Sequence, residues 1–246
     1  MNTQKPDYGL DAPSIVRGFL FGGPTLAIVG FFLARYARPA QIQPLIAIAG
    51  TMMGTGAVLF VESLLLMGSS YYGKFRARDQ LLARLGLRGD ERVLDVGCGH
   101  GLLLIGAAKL LPRGHAVGID LWSQVDQGSN SREATLENAR LEGVADRVEV
   151  RDGDMRKLPF PDATFDAVVA NLAIHNISDR EGRREAIREI VRVLKPGGQV
   201  ALMDFKKVGQ YADDLRTSGL SDVRVSGPSF WIFPPVRTAT GTKTPL

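Results

Sequence analysis

Val93-Leu94-Asp95-Val96-Gly97-Cys98-Gly99-His100-Gly101 is the stretch whose reading decides the fold. A short apolar run, suited to a buried strand, ends in an acid. Three glycines at alternate positions then lead into a helix-like segment that starts near Leu102. A strand that turns sharply into a helix, with no Cβ in the way, lets a ligand lie against bare backbone amides. The expectation is a nucleotide-type pocket.

Working outward, strands and helices alternate. Downstream, the pattern predicts a helix over 102–111, a strand over 116–120, a helix over 132–142 and strands over 147–151 and 165–170. A helix over 182–194 and a strand over 199–204 follow. Upstream, residues 74–87 read as an amphipathic helix that Gly89-Asp90 breaks. The order predicts an α/β fold, a Rossmann-like doubly wound, mostly parallel sheet. A helix over 211–218 and two short β-like pieces predict an antiparallel hairpin at the C-terminal edge. Ligands of such sheets bind beyond the carboxyl ends of the strands, where the strand order reverses. Asp120 ends the second strand, where a carboxylate can accept bonds from both ribose hydroxyls. A dinucleotide-binding dehydrogenase begins in the same way, but its G-x-G-x-x-G spacing puts the third small residue at position 102. That residue is Leu102, and the third glycine comes one residue early.

The first quarter of the chain has a different character. Residues 1–13 are polar with two prolines, which reads as a flexible leader without the basic start or cleavage site of a secretory signal. No charged residue occurs in 18–34 or in 39–61, and each run approaches the ~20 residues that a helix needs to cross a bilayer. Apolar residues occupy every face of these runs, unlike the single stripe of a soluble helix. Residues 14–69 are therefore expected to form a two-helix transmembrane hairpin, either spanning or dipping into one leaflet. Gly18 with Gly22, and Gly50 with Gly54, have the spacing that lets membrane helices pack closely, and the same glycines could support an oligomer. Glu62, near the end of the second run, is a candidate substrate contact. Gly68-Ser69-Ser70-Tyr71-Tyr72-Gly73 reads as a turn-like hinge, with Tyr71 and Tyr72 as further substrate candidates. Flanking Lys and Arg favour a cytoplasmic C-terminal domain, residues 70–246.

Composition excludes other classes. Thirty Lys and Arg against 26 Asp and Glu give a net charge of +4, too mild and dispersed for nucleic acid but compatible with an anionic bilayer surface. A single cysteine, Cys98, rules out an intrachain disulfide or a Cys-based metal site. The three histidines show no ligand spacing, so no metal is expected.

From the turn onward the sequence resembles the class I S-adenosylmethionine-dependent methyltransferases. Val93 to Gly101 is similar to their first motif, which implies that Gly97, Gly99 and Gly101 lie against the methionine part of the cofactor, with Asp95 orienting the loop and the amino group. Val117-Gly118-Ile119-Asp120 resembles the ribose-binding strand end, after which Leu121 or Trp122 would stack on adenine. Asp152-Gly153-Asp154-Met155, followed by Leu158-Pro159-Phe160, resembles the adenine-edge motif, which implies contacts from Asp154 and Met155. Phe165 to Asn171 resembles the fourth strand, whose end faces the transferable methyl. Arg192-Val193-Leu194-Lys195-Pro196-Gly197-Gly198 resembles the turn into the fifth strand. The resemblance runs from about residue 74 to the C-terminus and does not include the hydrophobic hairpin.

His175 follows the fourth strand, where an acceptor would approach. Imidazole titrates near ~6.5, suiting it either to general-base catalysis or to orienting an acceptor. The polar insert 123–131 could lie over the pocket as a lid, and Arg180, Arg183, Arg184 and Arg188 read as a solvated helix face. The resulting expectation is a membrane-anchored enzyme that moves a methyl from S-adenosylmethionine, leaving S-adenosylhomocysteine, to a lipophilic acceptor: a quinone or phenol, a lipid headgroup or a thiol. Two alternatives stay open, a membrane-anchored S-adenosylmethionine-binding assembly protein without catalysis and a nicotinamide-dependent dehydrogenase.

Overall fold

The structure, a computed structural model, describes residues 5–122 and 130–245. The chain divides into two compact units, Leu10–Tyr72 and a larger one made of Met1–Gly9 with Gly73–Leu246.

The smaller unit is an antiparallel pair of helices, α1 (Pro13–Ala37) and α2 (Gln43–Gly68). Both are long and apolar enough to cross a membrane, and little of either apolar stretch is buried. Phe21 and Phe32, for example, point outward. Close approach of the two backbones is made by glycines, but by different ones from those the spacing suggested. A Cβ on Gly23 or Gly56 would run into the other helix's backbone, and one on Gly30 into Ala49, whereas Gly18, Gly22, Gly50 and Gly54 face open space. The reason is angular. Two helices touch along one face each, and only residues on that face need to be small. Pro24 lies inside α1 and Pro44 in the first turn of α2, so neither interrupts a helix. At the open end of the hairpin, Ser70 Oγ accepts from Asp11 N–H and donates to Asp11 Oδ2. The expected hinge at 68–73 is not a turn. The chain stays helical through a π-helical segment, Ser69–Gly73.

In the larger unit, helix α3 (Lys74–Ala83) precedes an alternation of strands and helices. The strands are β1 (Arg92–Val96), β2 (His115–Asp120), β3 (Val148–Asp152), β4 (Phe165–Asn171), β5 (Leu194–Asp204), β6 (Leu220–Val225) and β7 (Arg237–Lys243). The remaining helices are α4 (Leu102–Lys109), α5 (Arg132–Leu141), α6 (Arg180–Val193) and α7 (Val208–Thr217). The seven strands run in the order β3-β2-β1-β4-β5-β7-β6. Strands β1 to β5 are parallel, and β7 is antiparallel to both β5 and β6. Apolar side chains of the central strands feed two cores. One packs Leu81 of α3 with Leu104 and Ile105 of α4. The other packs Ile187 and Ile190 of α6 with Tyr211 and Leu215 of α7. A sheet covered on both faces explains why these strands read as continuous apolar runs.

The strand order reverses at β1, which pairs with β2 on one side and β4 on the other. The carboxyl ends of these strands carry Val96, Asp120 and Asn171. Residues 7–9 also belong here, although residues 1–13 read as a flexible leader. Tyr8 is buried, and its hydroxyl donates to Glu142 Oε1 at 3.0 Å. The Asn138 side chain pairs with the Asp7 peptide in both directions, at 2.8 and 2.7 Å. Lys74 Nζ donates to the Tyr8 and Gly9 carbonyls.

Candidate functional site

Three turns meet at the switch point. The first is the glycine loop between β1 and α4. Gly97, Gly99 and Gly101 all have positive φ, at 75°, 49° and 84°. A Cβ on Gly97 would collide with the Ala173 methyl, and one on Gly101 would come within 2.9 Å of Thr135 Cγ2. The loop is held from below by Asp95, whose Oδ2 accepts from Leu104 N–H at 2.9 Å. Burial pushes the Asp95 carboxyl up to about 8, with the Leu104 bond opposing and the Asp120 charge adding to the shift. Cys98 is a buried free thiol whose pKa burial raises, the environment of a packing residue and not of a nucleophile. His100 is 4% exposed, and both of its ring nitrogens lack a hydrogen-bond partner among the described residues.

The second turn follows β2. Asp120 Oδ2 accepts from Gly99 N–H at 2.8 Å and Oδ1 from Trp122 N–H at 2.7 Å. Each oxygen keeps a second lone pair, so the carboxylate still has capacity for a diol. Trp122 sits at φ 57°, and its indole N–H donates to Asp152 Oδ1 at 2.7 Å, bridging the ends of β2 and β3. Leu121 is 61% exposed. Of the two stacking candidates, only Trp122 has a ring that the structure holds in place. Asp154 is engaged differently from the expectation that it would offer its carboxylate to an adenine amine. Both its oxygens face Arg156, which holds the carboxyl below its ordinary range. Met155, three residues after the end of β3, packs against the core behind the Gly97 turn. Residues 123–129, most of the insert read as a lid, lie outside the described residues.

The third turn follows β4. Asn171 Oδ1 is buried with no partner among the described residues. The next residue, Leu172, is in the left-handed region at φ 52°, where a residue with a Cβ is strained. Its N–H donates to Met203 O at 2.9 Å, which pins the turn to β5. The short helical turn Ile174–Asn176 then presents His175. The imidazole Nδ1 lies 3.0 Å from Oδ1 and 3.1 Å from Oδ2 of Asp204, the last residue of β5. Asp204 is 1% exposed and also accepts from Phe205 N–H at 2.8 Å and from the Tyr211 hydroxyl at 3.1 Å. Burial, and after it the acid's charge, pushes the Tyr211 hydroxyl well above its usual range. An ionised carboxylate only accepts, so Nδ1 of a neutral His175 carries the proton and Nε2 is left as an acceptor. Arg183 is not part of a solvated face. It is buried and donates to the carbonyls of Ile177 and Ser178, bracing the segment after His175.

The structure therefore brings together Asp95, Gly97, Gly99, Gly101, Asp120, Trp122, Met155, Asn171 and His175. Glu62, Tyr71 and Tyr72 belong to the separate helical unit. Asp204, Tyr211 and Asn138 were not singled out from the sequence. Asp204 carries a readable signal, an acid at the end of an apolar strand, the same feature that marks Asp95 and Asp120.

Residues 94–202 match a family described as a methyltransferase domain. Over 130 residues, 53% of this chain and 44% of the relative, the chain is 38% identical to the 27-O-demethylrifamycin SV methyltransferase of Amycolatopsis mediterranei. Over 124 residues, 50% of this chain and 44% of the relative, it is 38% identical to a ubiquinone/menaquinone biosynthesis C-methyltransferase of Pseudomonas fluorescens. The chain thus spans less than half the length of these two curated relatives. A solved S-adenosylmethionine-dependent methyltransferase from Aquifex aeolicus superimposes with a TM-score of 0.52 at 22% identity, covering 67% of this chain and 88% of that one, which shows the common fold. Residues 94–202 thus match a methyltransferase domain, on a fold shared with a solved S-adenosylmethionine-dependent methyltransferase.

Proposed function

We propose that the whole chain is a membrane-anchored methyltransferase that methylates a lipophilic or membrane-associated small molecule. The carrying observation is the pair α1 and α2. Little of either apolar stretch is buried, whereas a core helix of a soluble domain would hide most of its apolar surface. Tethering on a bilayer raises the encounter rate with acceptors dissolved in it. A quinone or phenol is favoured among the acceptors, since a 38%-identical relative is named for quinone biosynthesis. The methyltransferase domain is placed on the cytoplasmic side, where the cofactor is made. Gly18, Gly22, Gly50 and Gly54, open in the single chain, leave small-residue faces for a second copy.

The residues present fit the cofactor. Bare backbone at Gly97 and Gly99, free lone pairs on Asp120 and the unpartnered Asn171 Oδ1 provide a cradle of the right chemistry. S-adenosylmethionine supplies, when bound, a methyl already activated on a sulfonium. The chain's remaining task is to align the acceptor and exclude water. We assign His175 Nε2 as the base that takes the proton of an acidic acceptor. Asp204 fixes the tautomer and stabilises the imidazolium that forms. Asp204 acts through His175 and is a positioning residue.

Two measurements test this reading. S-adenosylhomocysteine should bind in calorimetry, and labelled methyl should enter a membrane lipid extract. Binding without transfer would return the non-catalytic assembly reading. Removal of residues 14–69 should release the protein from membranes in flotation, and a truncated protein that still floats would refute the anchor.

A further inference from the structure

We propose that the larger unit carries a pocket for the hydrocarbon tail of the methyl acceptor, between α3 and the loop joining β6 to β7. The pocket has a volume of about 600 Å³, within the roughly 300–1,000 Å³ typical of small-molecule sites. Ala77 and Leu81 of α3 with Met203 of β5 form its apolar wall, Phe230 and Trp231 its outer rim, and Gln80, Ser226, Ser229 and Thr238 add uncharged polar groups. Arg84 is the sole ionisable side chain among the residues that line it. Such a lining suits a hydrocarbon chain better than a charged headgroup.

Position gives the occupant. Met203 stands opposite Asn171 in the β4–β5 ladder, and its carbonyl holds the strained Leu172. The wall of the pocket therefore begins one strand, roughly 5 Å, from the end of β4. A molecule that presents its reactive group beyond β4 can run its tail along Met203 into this space.

The rim is built, not frayed. Ser229 and Val236 exchange two backbone hydrogen bonds, at 2.7 and 3.1 Å, and Ile232 is buried beneath them. The Trp231 backbone packs so closely on Gly73 that no Cβ fits there. Phe230 and Trp231 are nevertheless 77% and 49% exposed, an arrangement that costs free energy unless something apolar covers them. Ser229 Oγ, also in the lining, is buried without a partner among the described residues. Its hydroxyl can donate to or accept from a polar atom of the occupant.

The assignment rests on the lipophilic-acceptor reading, and the experiment separates the two. The full chain in phosphatidylcholine nanodiscs is irradiated with a phenol whose nine-carbon alkyl chain carries a mid-chain diazirine, and adducts are mapped by mass spectrometry. The pocket predicts adducts on both 77–84 and 226–231, falling at least tenfold in Ser229→Phe. Gly227→Leu is the second blocking variant, at a position where an added Cβ meets nothing. S-adenosylhomocysteine affinity should stay unchanged in both, which certifies the fold. Adducts confined to α1 and α2 would overturn the pocket. So would adducts on Phe230 and Trp231 alone that neither variant reduces, which would mark a loop resting on the bilayer. Failure of the unaltered chain to label any lipid extract would instead count against the lipophilic-acceptor reading, while adduct mapping judges the pocket by itself.

Discussion

His175 and Asp204 come from the turns after adjacent strands, β4 and β5, and meet with Nδ1 at 3.0 and 3.1 Å from the two carboxylate oxygens. The contact is fixed from the acid's side. Asp204 is buried and bonded to Phe205 N–H and Tyr211, so the ring follows the carboxylate. Asp204→Asn is expected to lower kcat by about 10²-fold, the low end of what general-base catalysis contributes, with little change in KM for the cofactor. The His175→Ala/Asp204→Asn double variant should be no slower than His175→Ala. Additive losses would show that Asp204 acts independently of the ring.

Asp95 gives the domain a pH dependence. Its carboxyl is raised to about 8 in the folded chain, against about 3.9 when unfolded. Below about pH 4 both states hold the proton. As pH rises from there to about 8 the unfolded state loses it first, so the folded state is progressively disfavoured. Melts of the ligand-free protein should show stability falling across that window, with a flatter profile in Asp95→Asn. A bound cation draws the carboxyl back to its ionised form. Cofactor uptake at pH 7 should therefore release a proton, seen as buffer-dependent heats in calorimetry, and heats independent of the buffer would exclude this role for Asp95.

At Gly97 the demand on the backbone is double: φ is 75°, and the Ala173 methyl occupies the space of a Cβ. Gly97→Ala should destabilise the domain by about 1–3 kcal/mol and weaken S-adenosylhomocysteine binding at least tenfold. Denaturant melts and calorimetry read the two effects separately. Gly143, at φ 70° with open space around it, is the control, where alanine should leave binding intact.

Asn138 ties residues 7–9 to the glycine loop, because its Nδ2 donates to the Asp7 and His100 carbonyls. Asn138→Leu leaves those carbonyls and the Asp7 N–H without their partner, at a cost of about 1–3 kcal/mol for each group that stays buried. Chymotrypsin cleavage after Tyr8, which is buried in the unaltered chain, should accelerate in the variant. Unchanged cleavage would mean that Tyr8 and Lys74 hold the segment by themselves.

Much of the fold was legible in the chain. Periodicity placed β1, β2 and β4 to within about a residue of their observed ends, because strands covered on both faces are apolar throughout and their ends are marked by Asp95, Asp120 and Asn171. The helical pair was legible as well, although α1 extends past its charge-free run at both ends and α2 continues beyond Glu62 to Gly68. Other features were hidden by distance. Gly23 and Gly56 are 33 residues apart, and nothing local distinguishes them from Gly22 and Gly54. Tyr8 looks like part of a polar leader until Glu142 and Phe75 are beside it.

The sequence by itself determined the order of the elements and the glycine turn, because each depends on local patterning or on backbone conformations that neighbouring residues impose, and the resemblance carried by its motifs pointed to the type of cofactor. Only the tertiary structure decided which acid serves His175, which glycines the helices pack through, and that Asp154 faces Arg156. Those are pairings between side chains, and their partners are chosen by strand order and helix facing, which no single stretch of the chain contains.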